Sequence, residues 1–252
     1  VTRSLGNKEL WLASLRADGP AFRAAVGEAP LDAPIPSCPQ WTVAGLVNHL
    51  GAVYSRILYR LDAGPDQQEV PDGETAKTGD DPLAWWDERY AALVSALDAI
   101  DPDAPVWNGA PQVKKAAFWH RRAAHETAVH RWDAQFALMS VEPIEAKLAL
   151  DGVAEVLDTW LPAGEGAGPK DVHGMVSLCA TDMEHEWFVR LRGEGGIALL
   201  DTDTLLDSDE HHERAAAQGT ASDLLLALYG RVGFDVLEIG GDVRLLEALR
   251  AG

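Results

Sequence analysis
The chain has 252 residues, room for one large domain or two modest ones, and 47% of them are apolar, enough to build a proper core. Its 40 acidic residues outnumber 21 basic ones for a formal charge of −19; with no long basic run, this argues against a nucleic-acid backbone or an anionic membrane as partner. Two cysteines without a CxxC pair, no apolar stretch near the ~20 residues of a membrane span and no apolar core in the leading VTRSLGNKELW predict a reducing, cytoplasmic location.

The first 160 or so residues read as helical. A first helix is expected from about Leu5 to Val26, broken or kinked at Gly19-Pro20. The turn-rich APLDAPIPSCPQ follows, and Thr42 is a good N-cap for a second helix reaching about Ala63. Residues 64–80 are polar and rich in turn formers. About 17 extended residues reach ~55 Å, more than the ~33 Å of a 22-residue helix, so this loop can cross a whole bundle and leave the second and third helices parallel. Asp81-Pro82 opens the third helix, with Pro at its first position. The fourth covers about Lys114 to Leu138. Four such helices make a four-helix bundle.

A further helical stretch, EAKLALDGVAEVLDTWL, ends in the Gly/Pro-rich PAGEGAGPK, which is read as the domain boundary. Beyond it VHGMVSLCA, EWFVRLR, GIALL and EHHERAAAQG look like strands, then GTASDLLLALYGR a helix, VLEIGG a strand and DVRLLEALR a last helix. The expected architecture is mainly α, α+β overall: a bundle over residues 1–162 and a small α/β domain over 163–252.

Glu126 and His130 stand four apart in HRRAAHETAVHRWDAQ, so a helix aims a carboxylate and an imidazole at one point. His49 lies on the second helix at a position with mostly apolar helical neighbours. Two imidazoles and a carboxylate suffice for a catalytic zinc with an open position. The other histidines fit less well. His125 points about 100° away from Glu126. His120 has a poor angular match to His130, His211 and His212 read as solvated surface, and His173 and His185 have no partner at ligand spacing. Arg56 and Arg60, seven and eleven residues after His49, share its face; Arg122 and Asp133 share that of Glu126 and His130. Either these charges form ion pairs at the bundle ends, or they line a polar cavity in which Arg56 and Arg60 receive substrate carboxylates.

SCPQWTVAGLVNHLG and RRAAHETAVHRWDAQ resemble the two signature segments of the mycothiol-dependent maleylpyruvate isomerase family, and GTASDLLLALYGR with LEIGGD resembles its small C-terminal domain. The resemblance spans nearly the whole chain. It implies a DinB-like bundle in which His49, Glu126 and His130 hold a divalent metal, zinc or another such as nickel. Arg231 matches an arginine the family implicates in catalysis, and Arg56 is expected to serve beside it. The resemblance further implies a small thiol, mycothiol, whose metal-bound thiolate adds to an electrophile. The outcome would be cis–trans isomerisation of maleylpyruvate or S-transfer by a monomer or homodimer. Two alternatives stand beside it: a metal-dependent hydrolase using activated water, and a non-catalytic metal-binding module.

Overall fold
The computed structural model describes residues 5–66, 81–200 and 213–251. The chain divides into two compact units, one over Gly6–Ile144 and one running on from Glu145. The second includes Leu5, whose amide donates to Asp151 Oδ1 at 3.0 Å. The division precedes the Gly/Pro-rich segment expected to mark it, because the helix before that segment packs within the second unit.

The first unit holds four helices: α1 (Lys8–Glu28), α2 (Val43–Ala63), α3 (Pro82–Ala99) and α4 (Ala116–Ala137). Their starts follow local chemistry. Asn7, Thr42 and Asp81 cap α1, α2 and α3 with side-chain oxygens that accept first-turn amides, and Gly64 at φ 77° ends α2. The break expected at Gly19-Pro20 does not occur: α1 runs through Pro20. Pro20 withdraws only the one N–H that would reach the Arg16 carbonyl, and α3 packs closely against the residue before it. The Tyr90 ring lies so close to Gly19 that a Cβ there would sit 2.3 Å from it, and the Tyr90 hydroxyl donates to the Leu15 carbonyl at 3.1 Å.

Contacts give the helix directions. Gly51 faces Trp85, while Tyr54 lies 5.9 Å from Trp86 and 6.2 Å from Tyr90, ring to ring, so α2 and α3 run parallel. Arg23 pairs with Asp87 and Arg16 with Asp98, so α1 opposes α3. His120 reaches Leu97 O and Tyr54 reaches Thr127, so α4 opposes α3 and α2. The parallel α2–α3 pair is the arrangement that the long loop makes possible. The core between the helices is built on Leu15, Phe22, Leu50, Tyr54, Trp86 and Leu97, each essentially without exposure.

The second unit opens with α5 (Ala146–Glu155), which continues as a π-helical turn over Val156–Trp160. Next come β1 (His173–Ala180), β2 (His185–Arg192), β3 (Ile197–Leu200), β4 (Arg214–Gly219), α6 (Ala221–Leu228), a 3₁₀ turn (Phe234–Val236), β5 (Glu238–Gly241) and α7 (Val243–Glu247). The strands form one sheet in the order β3-β2-β1-β4-β5, with β1 and β4 parallel and the other neighbours antiparallel. The fourth predicted strand begins at Arg214; Glu210, His211 and His212 lie outside the described residues. A helical bundle followed by a small α/β unit is therefore the architecture. No helix among the described residues is long and apolar enough to cross a membrane.

Candidate metal centre
Two helices and one turn build the site within the first unit. Thr42 Oγ1 accepts the Gly45 amide at 3.2 Å and sets the register that brings His49 inward. Just before it, SCPQW folds into a compact turn: Cys38 N–H donates to Ile35 O at 3.0 Å, Trp41 N–H to Cys38 O at 2.8 Å and Ile35 N–H to Trp41 O at 3.0 Å. Facing this turn, α4 presents Arg122, Glu126, His130 and Asp133 along one stripe.

His49, Glu126 and His130 each offer one ligand atom, and these atoms lie within 4.8 Å of one another. His130 Nε2 is 3.2 Å from Glu126 Oε2. On the ring's far side, His130 Nδ1 is 2.8 Å from Asp133 Oδ2. An ionised carboxylate only accepts, so Nδ1 carries a proton toward Asp133, while Nε2, which in the metal-free ring shares a proton with Glu126, is the nitrogen turned toward the site. Asp133, without solvent exposure, also accepts the Ser37 hydroxyl at 2.6 Å and lies 3.9 Å from the Cys38 thiol. Arg122 grips the other oxygen of Glu126, Oε1, through Nε at 3.1 Å and again through Nη2. The Trp41 ring lies 4.5 Å from that of His49 and 5.7 Å from that of His130, packed against both imidazoles.

The electrostatics follow from this packing. Burial, then the neighbouring His130, with Arg122 and Arg56 acting the same way, lowers His49 to about 4 against the pull of Glu126. Burial alone would raise the Glu126 carboxyl, yet the Arg122 guanidinium and His130 hold it well below the usual carboxylate range. Burial likewise works against a charged His130, but its bonds to Asp133 and Glu126 outweigh that and raise it.

The donor set fits a divalent cation. Ligands held ~2.1 Å from a tetrahedral ion stand about 3.4 Å apart, close to the 3.2 Å between His130 and Glu126. Three protein donors leave a coordination position for another ligand.

The other expected residues separate. Arg56 is exposed on α2, with its charge felt at His49. Arg60 is buried with its guanidinium 4.3 Å from the Trp107 ring centroid, so its position is set by that stack. Arg231 lies in the second unit, where its Nη1 donates to Tyr229 O at 2.9 Å. Ser37, Cys38 and Trp41 are additions that helical spacing could not supply. The i−4 spacing of Arg122 to Glu126 does signal its grip.

The sequence matches the family described as mycothiol maleylpyruvate isomerase N-terminal domain over residues 12–135, and its C-terminal domain over residues 147–248. The chain belongs to the mycothiol-dependent maleylpyruvate isomerase family. Two solved structures share the fold. A crystal structure of mycothiol-dependent maleylpyruvate isomerase aligns with a TM-score of 0.63 at 13% identity, over 95% of this chain and 96% of that one. A histidine-to-alanine mutant of that isomerase aligns with a TM-score of 0.65 at 14% identity and the same coverage. No curated protein matches the sequence significantly. Membership in the isomerase family explains why a bundle and a small α/β unit occur in one chain.

Proposed function
We propose that this family member is a divalent-metal-dependent enzyme that uses a small thiol, mycothiol, on a small electrophile in the cytoplasm. Its reaction would be cis–trans isomerisation of maleylpyruvate or S-transfer of the thiol. The observation that carries this reading is the convergence of His49, Glu126 and His130, with ligand atoms within 4.8 Å of one another. A zinc or nickel ion held there would favour the thiolate form of a thiol near neutral pH.

The chain's own groups would do the rest. Asp133 keeps the His130 proton on Nδ1 and Nε2 available. Arg122 holds Glu126 Oε1 and so presents Oε2 to the site. Trp41 packs its ring against the two imidazoles and so helps to fix their positions. While the thiol sulfur adds to the cis double bond, the new single bond rotates and the thiol leaves, Arg56 would hold a carboxylate and the enolate charge; Arg231 keeps the catalytic role that the family resemblance gives it. Arg60, committed to Trp107, serves this pocket through packing.

The test is a product assay with and without mycothiol, before and after chelation. The reading expects one-to-one zinc or nickel loading, activity lost with the metal and restored by it, and dependence on thiol. Undiminished turnover without thiol would instead mean a hydrolase acting through metal-activated water. Tight metal without thiol binding would mean a non-catalytic module.

A further inference from the structure
The donors of the metal centre are divided between two opposed helices, His49 on α2 and Glu126 with His130 on α4. A site split in this way is only as exact as the register of its helices. Each residue of slip carries a side chain ~1.5 Å along the axis, whereas metal–ligand distances tolerate about 0.2 Å. Apolar packing is non-directional and constrains such a slip weakly. A hydrogen bond specifies both a distance and an angle.

Such a bond crosses between these same helices beside the donors. Tyr54 Oη lies 2.7 Å from Thr127 Oγ1, and neither residue has solvent exposure. Thr127 gives its own proton to the Ala123 carbonyl, also at 2.7 Å, so the tyrosine hydroxyl donates and Thr127 accepts. Thr127 adjoins Glu126 and stands three residues before His130. Tyr54 follows His49 by five residues, ~7.5 Å of axial rise. From its other side Tyr54 is braced by α3, its ring 5.9 Å from that of Trp86 and 6.2 Å from that of Tyr90, which stack on each other at 5.0 Å. A phenylalanine would fill that aromatic cluster as well. What the hydroxyl adds is direction.

We infer that the Tyr54–Thr127 bond is the register pin of the metal centre, and that Tyr54 is a positioning residue: it holds α2 against α4 so that His49 meets Glu126 and His130 at ligand distance. This rests on the reading of those three residues as metal donors. The pin acts on binding through preorganisation. Donors assembled by the fold need no further ordering when an ion arrives, so more of the coordination energy is left as affinity. Without the pin, α2 and α4 sample neighbouring registers, and binding must select the one in which all three donors converge. The cost then falls on metal affinity, besides any loss of fold stability.

The test is zinc titration of the full chain against a competing chelator, with melting temperature and the visible spectrum of the cobalt-loaded protein read alongside. Tyr54→Phe removes one oxygen and leaves Thr127 bonded to Ala123. It should keep its helix content, bind zinc about fivefold more weakly and shift the cobalt bands. Thr127→Ser keeps the acceptor and should bind zinc as wild type does, whereas Thr127→Val should lose at least as much as Tyr54→Phe. Tyr54→Phe combined with Thr127→Val should bind no more weakly than Thr127→Val alone, because both changes break the same bond. Should Thr127→Val fail to fold, Tyr54→Phe against Thr127→Ser decides. A lower melting temperature with zinc affinity and cobalt spectrum unmoved would overturn the inference and leave the donor assignment standing, as would losses that simply add in the double variant. A wild type that binds no zinc would overturn both.

Discussion
His130 donates its Nδ1 proton to Asp133 across 2.8 Å, and that bond sets which ring nitrogen is left to bind a metal. Asp133 is in turn held by the Ser37 hydroxyl at 2.6 Å, so the SCPQW turn, the aspartate and the imidazole form one relay. Replacing Asp133 with Asn keeps the shape and removes the charge that orients the ring. Zinc affinity should fall about 10–100-fold with helix content unchanged, read by competitive titration against a chelating dye. An unaltered affinity would show that Asp133 only packs.

His49 supplies a pH signature in the metal-free protein. Its value in the fold is about 4, below the ordinary 6.5. The unfolded chain therefore takes up this proton first, and stability falls as pH drops from about 6.5 toward about 4. His130 is raised, so its contribution is complete below its ordinary value and is lost only as pH rises through the higher one. Glu126 is depressed, so its contribution is lost only below the usual carboxylate range. Between pH 7 and 5 the His49 effect stands out. Allowing for partial exposure, it amounts to roughly 1 kcal/mol at pH 5, or about 3 °C in melting temperature. The wild type should lose this much relative to His49→Gln over that range, and the variant should also lose most metal binding. Parallel melting curves would contradict the assignment.

How much of this could be read from the residues depended on whether the cause was local. Thr42, Asp81 and Pro82 announce helix starts because a cap acts on its own first turn. The spacing of Glu126 and His130 is equally local. The parallel run of α2 and α3 is permitted by the reach of the loop between them, and the contacts of Gly51 and Tyr54 with α3 decide it. By contrast, α1 passes through Pro20 beside a ring that arrives from Tyr90, 71 positions after Gly19, which no window on α1 contains. The SCPQW turn closes through backbone bonds and then meets α4 at Asp133, so Ser37 and Trp41 join the site through tertiary contact. Arg60 shares a helical face with His49, yet Trp107, on a loop, claims it.

That last contrast separates two arginines that spacing treats alike. Arg60→Ala removes a buried stack on Trp107 and should cost about 1–2 kcal/mol of stability, leaving the KM for a carboxylate substrate nearly unchanged. Arg56 is exposed, so Arg56→Ala should alter stability by less than about 0.5 kcal/mol while raising KM severalfold. Melting temperature and KM measured side by side check both. If Arg60→Ala raised KM without lowering the melting temperature, Arg60 would return to the substrate pocket.

The place where the first unit ends can be tested by truncation. The Gly/Pro-rich PAGEGAGPK invites a cut near Leu161, but α5 lies in the second unit, where a Cβ on Gly152 would sit 2.8 Å from Leu225 of α6. A fragment ending at Leu161 would keep α5 and the following π-turn while deleting α6, baring apolar side chains such as Leu148, Val153 and Leu157, which the full chain buries. A fragment over residues 6–144 ends where the compact unit ends and carries all three metal donors. The shorter fragment should therefore stay monodisperse, bind one zinc and melt cooperatively, whereas the longer one should self-associate; it should bind the same metal. Both should lack turnover, since Arg231 is gone from each. Light scattering and zinc titration of the two fragments decide it: a well-behaved longer fragment and an aggregating shorter one would move the division to the Gly/Pro segment.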